Sequence, residues 1–150
     1  LWLRVASMIT CHASSVEIEG RGVLLRGPSG AGKSDLALRL VDGGGTLISD
    51  DYTEITVRDG RAFLSPPANI VGRIEVRGLG LMPLPSVHDI PLALVFDLVP
   101  YDQIDRAPTA EVVTFGDVDI PRRYLDPFMA SAAAFVRLTL KQNPLMTGYE

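Results

Sequence analysis

Apolar and polar positions along this chain switch between a two-residue and a 3.6-residue period, and the switches lay out the elements. Gly22-Val23-Leu24-Leu25-Arg26 is a short branched apolar run of the kind a buried strand needs. Residues 34–41 then change to helical spacing, with Leu36, Ala37, Leu40 and Val41 on one face. Gly43-Gly44-Gly45 ends that helix, because glycine tolerates the left-handed conformation of a helix C-terminus. Thr46-Leu47-Ile48-Ser49 predicts the next strand and runs into Asp50-Asp51. Residues 55–57 and 62–64 flank Arg58-Asp59-Gly60-Arg61, and Asp-Gly between two β-rich pieces predicts a hairpin. Residues 73–77 alternate charged and apolar side chains, which predicts a strand with one wet face. Residues 91–99 are the most apolar run and predict a central strand. Weak alternation through Ile9 and over 16–20 predicts strands before the first helix, and 111–115 and 118–120 predict short strands late in the chain. Asp126-Pro127 reads as an N-cap and first helical residue for a helix over 128–142, which Asn143-Pro144 ends. In that helix Phe128, Ala132, Phe135, Val136 and Thr139 fall at helical spacing and predict core packing with no cofactor role.

Composition narrows the classes. A chain of 150 residues, 47% hydrophobic, is the size of one domain over 1–150 with a real core. A formal net charge of -4 with scattered Lys and Arg argues against nucleic acid or an anionic membrane as the main partner, because either demands a basic patch. The single cysteine, Cys11, excludes an internal disulfide and suits a reducing, cytoplasmic setting. No apolar run approaches the roughly 20 residues of a membrane span, and there is no signal-peptide pattern. The chain starts at Leu1, which reads as a segment trimmed from something longer.

Chemistry enters at Gly27-Pro28-Ser29-Gly30-Ala31-Gly32-Lys33-Ser34, a full match to G-x-x-x-x-G-K-[ST] between a predicted strand and a predicted helix. The glycines let the backbone turn its N–H groups around phosphate oxygens, Lys33 places a charge at the β/γ-phosphates, and the Ser34 hydroxyl can ligate Mg²⁺. Phosphoryl transfer also needs an acid near the loop. Asp50 or Asp51 can hold Mg²⁺ or accept a proton, and Asp97, at the end of the most apolar strand, rivals them; the pattern does not choose. His12 is a candidate for proton transfer, the role imidazole most often plays near neutral pH, and Cys11 is not its partner, since adjacent residues of an extended strand face opposite ways. Glu75 is either a metal ligand or part of a solvated strand face, and Arg106 taken alone carries no signal.

His12-Ala13-Ser14-Ser15, the Gly27 to Ser34 loop, Leu47-Ile48-Ser49-Asp50-Asp51 and Ile74-Glu75-Val76-Arg77-Gly78-Leu79-Gly80-Leu81 together resemble the catalytic domain of the HPr kinase/phosphorylase family over roughly residues 12–137. The last segment is the most specific of the four. The resemblance implies an α/β P-loop NTP-binding domain with a mixed sheet, similar to the nucleotide-binding part of phosphoenolpyruvate carboxykinase. It implies transfer of the γ-phosphoryl of ATP, with Mg²⁺, to a serine of the phosphocarrier protein HPr, and the reverse reaction in which phosphate attacks phosphoserine and leaves as pyrophosphate. By the same resemblance His12 and Lys33 are active-site residues, Asp51 is the proton acceptor and Asp97 is structural; Ser34 and Glu75 ligate Mg²⁺, and Arg106 matches a late catalytic arginine at altered spacing. It also implies a homo-oligomer, a hexamer in the family, acting in regulation of carbon metabolism in the cytoplasm. Two departures stand out. The family's additional N-terminal domain is missing, which resembles the short form of some proteobacteria or an excised domain. The family's glycine-containing loop before the last helix is replaced by Pro121-Arg122-Arg123-Tyr124-Leu125-Asp126, so a kinase with weak phosphorylase activity is expected. A P-loop kinase for a small molecule and an ATP-sensing module without turnover are the alternatives; an acidic-metabolite kinase would supply a cluster of basic residues, which this sequence lacks, and a sensing module would be indifferent to loss of Asp51, whereas a kinase would not.

Overall fold

The computed structural model of the chain describes residues 7–142, so the predicted N-terminal strand is covered only from Ser7 and the Asn143-Pro144 helix stop lies outside the described residues. The elements run β1 (Ser7–Cys11), β2 (Ala13–Ile18), β3 (Arg21–Arg26), α1 (Lys33–Asp42), β4 (Thr46–Ser49), β5 (Thr53–Arg58), β6 (Arg61–Ser65), β7 (Arg73–Val76), β8 (Gly80–Pro83), β9 (Ile90–Leu98), β10 (Glu111–Phe115), β11 (Val118–Leu125) and α2 (Ala132–Gln142). The fold is mixed α/β. One sheet follows the order β1-β5-β6-β9-β3-β2-β4, β11 joins β9 and pairs with β10, and β7-β8 is a separate hairpin.

β9 sits at the centre because it has no polar face to give to water: Leu94, Val95 and Phe96 are fully buried. Burying each such side chain stabilises by about 1.5–3 kcal/mol. β9 runs parallel to β3 on one side and to β11 on the other, while the remaining pairings are antiparallel. Alternation along the strands splits the core in two. Val23, Leu25, Leu94 and Phe96 face α1 and α2, where Leu36, Ala37, Leu40, Ala132, Val136 and Leu140 meet them. Leu24 and Val95 face the opposite cluster of Ile48, Ile55, Ala62, Leu64 and Phe115.

The predicted glycine stop of α1 holds: Gly45 N donates to Leu40 O at 2.9 Å and Gly44 takes φ of 114°. The Asp59-Gly60 turn joins β5 to β6 with both residues at positive φ, the type I′ geometry. Two expectations change at the C-terminal end. Residues 121–125 are no loop; they extend β11, with Arg122 opposite Val95 and Tyr124 opposite Asp97. α2 begins at Ala132, not at Phe128, because the Asp126 carboxylate caps only the local turn, accepting from Phe128 N at 2.9 Å. Phe128 is therefore not core, and 70% of its surface is open. No helix among the described residues is long and apolar enough to cross a membrane.

Candidate active site

The Gly27 to Ser34 loop leaves the end of β3 and enters α1 through Gly32, whose φ of 99° only glycine adopts without strain. Ala31 N donates to Pro28 O at 3.0 Å and Leu36 N to Gly32 O at 3.0 Å, which rounds the loop, while the first N–H groups of α1 have no partner within the helix. Lys33 is only 6% exposed, and its Nζ donates to Gly27 O at 2.6 Å and Pro28 O at 3.0 Å. Burial pushes the Lys33 ammonium below the ordinary lysine range, and the nearby Asp51 and Asp50 carboxylates oppose that shift. The segment before α2 braces the loop. A Cβ on Gly32 would come to 2.8 Å from Pro127 Cγ and 3.1 Å from Phe128 Cζ, and Arg39 ties this segment to α1 by donating to Pro127 O. Gly32→Ala should therefore lower stability by about 2 kcal/mol through the positive φ and the clash together, read as a lower urea midpoint with an unchanged m-value.

Beside the loop lies a carboxylate with three partners. Asp50 is buried; its Oδ1 accepts from Ser34 Oγ at 2.6 Å and Ser14 Oγ at 3.0 Å, and its Oδ2 accepts from Glu75 N at 3.1 Å. β4 delivers it there by an indirect route. β4 is antiparallel to β2, which is antiparallel to β3, so the ends of β4 and β3 reach the same edge of the sheet. Ser14, fully buried, also accepts from Asp51 N at 3.1 Å. Tyr52 N donates to Asp50 O at 2.8 Å around Asp51 at φ of 69°, a three-residue turn of the rare, strained kind. That turn lifts the Asp51 side chain out of the core and puts its Oδ1 2.8 Å from His12 Nε2. Tyr52 stacks on the other side of the imidazole, ring centroids 4.9 Å apart.

The structure thus brings His12, Lys33, Ser34, Asp50 and Asp51 to one edge of the sheet. Glu75 arrives through its backbone; its side chain is exposed on β7, whose Ile74 is buried against α1. Val76, Arg77, Gly78 and Leu79 carry the hairpin turn into Gly80, with Gly78 and Gly80 at positive φ. Arg106 stands on the exposed loop between β9 and β10 and forms no ion pair among the described residues. Asp97 is taken up elsewhere: Arg26 grips it with two bonds at 2.7 and 2.9 Å, and that grip raises the Arg26 pKa. Arg122, expected as loop charge, reaches Asp97 Oδ2 at 3.4 Å and donates to Glu111, so its charge is spent inside the sheet. Ser14 and Tyr52 carry no role in the sequence pattern; a serine directly after His12-Ala13 and an aromatic directly after Asp50-Asp51 are the only local signals for them.

Comparison with known proteins bears on this arrangement. Residues 3–92 match the family described as HPr Serine kinase C-terminal domain. The HPr kinase/phosphorylase of Lactococcus lactis subsp. lactis (strain IL1403) is 34% identical over 133 residues, covering 79% of this chain and 42% of that protein. The HPr kinase/phosphorylase of Caldanaerobacter subterraneus subsp. tengcongensis is 34% identical over 131 residues, covering 79% and 43%. The chain therefore spans under half the length of these relatives. Among solved structures, the Hpr(Ser) kinase/phosphatase from Coxiella burnetii superimposes with a TM-score of 0.82 at 21% identity, covering 93% of this chain and 98% of that one, which establishes the shared fold. With the family match spanning well over half of its residues, the chain belongs to the HPr serine kinase family through that family's C-terminal domain.

Proposed function

We propose that this chain is the catalytic domain of an ATP- and Mg²⁺-dependent kinase that phosphorylates a serine of the phosphocarrier protein HPr, and that it runs the reverse phosphorolysis more weakly. The observation that carries the reading is the unbroken chain of contacts from Ser34 through Asp50 and Ser14 to Asp51 and His12. It couples a phosphate-loop hydroxyl to an exposed acid–base pair. We take the Gly27 to Ser34 loop as a P-loop and the sheet as the type found in the nucleotide-binding part of phosphoenolpyruvate carboxykinase.

Mg²⁺ prefers oxygen donors and keeps much of its shell for water and substrate phosphates. Ser34 Oγ and Asp50 Oδ1, 2.6 Å apart, suit such an ion, and no group of three or more His, Cys, Asp or Glu is placed to hold a more fully protein-bound metal among the described residues. Ser34 and Asp50 would hold the ion, with the Glu75 carboxylate as a further ligand, and it would neutralise charge on the β- and γ-phosphates. Loop N–H groups and Lys33 hold the phosphates in place. Asp51 takes the proton from the incoming serine hydroxyl as its oxygen bonds to the γ-phosphorus and the bond from that phosphorus to the β–γ bridging oxygen breaks, releasing ADP; His12 shares the proton. In reverse, Asp51 returns a proton to the departing serine oxygen while inorganic phosphate bonds to the same phosphorus and becomes pyrophosphate.

The test is incubation of the purified chain with labelled ATP, Mg²⁺ and HPr. A stable phosphoserine on HPr is the expected product, and adding millimolar phosphate to that product should release pyrophosphate. Phosphorylation of a small molecule with HPr untouched, or ATP binding without turnover, would overturn the reading.

A further inference from the structure

Two large aromatic side chains stand in water next to the phosphate loop, and nothing in the proposed chemistry uses them. Phe128 is 70% exposed and Tyr101 is 64% exposed. Neither position is accidental. The Asp126 carboxylate accepts from Phe128 N through Oδ1 at 2.9 Å and from Tyr101 N through Oδ2 at 3.1 Å, so one side chain anchors both residues at neighbouring points. Asp126 follows β11 and Tyr101 follows β9, two adjacent parallel strands next to β3, which carries the loop. Ligands of α/β sheets bind outside the carboxyl ends of such strands.

Phe128 touches the loop itself. Its Cζ lies 3.1 Å from where a Cβ of Gly32 would stand, so one end of the ring rests on the residue before Lys33 while most of its surface stays open. Taking the open part of such a ring out of water is favourable. Every nucleobase carries a flat π-face, and stacking it on an aromatic ring is favourable whatever its edge presents.

We propose that Phe128, with Tyr101 beside it, is the platform on which the base of a nucleoside triphosphate stacks when its phosphates occupy the Gly27 to Ser34 loop. The proposal rests on the phosphate-loop reading and adds the recognition of the base to it. It assigns binding, not chemistry, to both aromatics, and it makes Asp126 the residue that sets their spacing.

Calorimetry on the full chain with ATP and with inorganic tripolyphosphate, both with Mg²⁺, separates the two layers. Tripolyphosphate offers the loop its phosphates without a base. Wild type is expected to bind both. Phe128→Ala should weaken ATP binding about tenfold or more and change tripolyphosphate binding by less than about twofold. Phe128→Trp should restore ATP affinity, and its emission, read against the single tryptophan of wild type, should be quenched by ATP and not by tripolyphosphate. ATP affinity unchanged in Phe128→Ala, as when a second copy of the chain covers this surface instead, overturns the proposal. Equal weakening of both ligands also overturns it, because Phe128 would then act only as a brace for Gly32. A wild type that binds neither ligand removes the phosphate-loop reading and the platform with it.

Discussion

Lys33→Ala should reduce phosphoryl transfer by at least about 10²-fold, since one preorganised charge aimed at a developing negative charge contributes several kcal/mol. The side chain is already held in place: Gly27 O and Pro28 O fix its Nζ within the loop, and little of it reaches solvent. Lys33→Arg should not rescue the rate, because a planar five-donor fork cannot occupy a site built around a compact ammonium. The measurement is kcat/KM for ATP, and retention of more than about a tenth of the wild-type value would sink the loop assignment. The pH dependence has a definite sign. A lysine whose pKa is lowered by burial loses its proton at a lower pH than a free one, so the alkaline fall of kcat/KM should begin below the ordinary lysine range.

Asp51→Asn should leave ATP affinity near normal and abolish turnover, a loss confined to kcat because, on the proposed reading, the residue meets the serine hydroxyl and not the nucleotide. The contrast with Asp97 is the control. Asp97→Asn breaks the two-bond grip on Arg26 and weakens the link to Arg122, so its effect should fall on thermal stability, with the rate of the folded protein largely kept. A silent Asp51→Asn beside a dead Asp97→Asn would mean that the wrong acid has been assigned.

The two acids also show what the sequence could and could not carry. Both end apolar runs, and periodicity treats them alike. What separates them is pairing: Arg26 stands opposite Asp97 in the β3–β9 register, while Asp51 sits one residue past an acid that is already satisfied. Register depends on contacts 71 residues apart and leaves no local trace. The strands, the Asp-Gly hairpin and the glycine stop of α1 were legible because each is written within a few residues. The acids after β4 reach the same sheet edge as the loop after β3, with β2 lying antiparallel between the two strands. The reading failed where composition imitates a helix. Phe128 lies at helical spacing from Ala132 and Phe135, yet Pro127 packs on Gly32 and Asp126 spends its carboxylate on a turn, so the helix waits until Ala132. Residues 121–125, part of a loop by resemblance to the family, instead extend β11, where Pro121 pairs with Val112.

The strained turn at Asp51 sets a trap for anyone engineering this chain. Position 51 holds a left-handed backbone that glycine would relax at no steric cost, so a selection scored on heat resistance alone is drawn to Asp51→Gly. The winner would melt later and leave His12 without its carboxylate partner. Any thermostable version has to be bought elsewhere on the fold, with this one uncomfortable residue held fixed throughout the library.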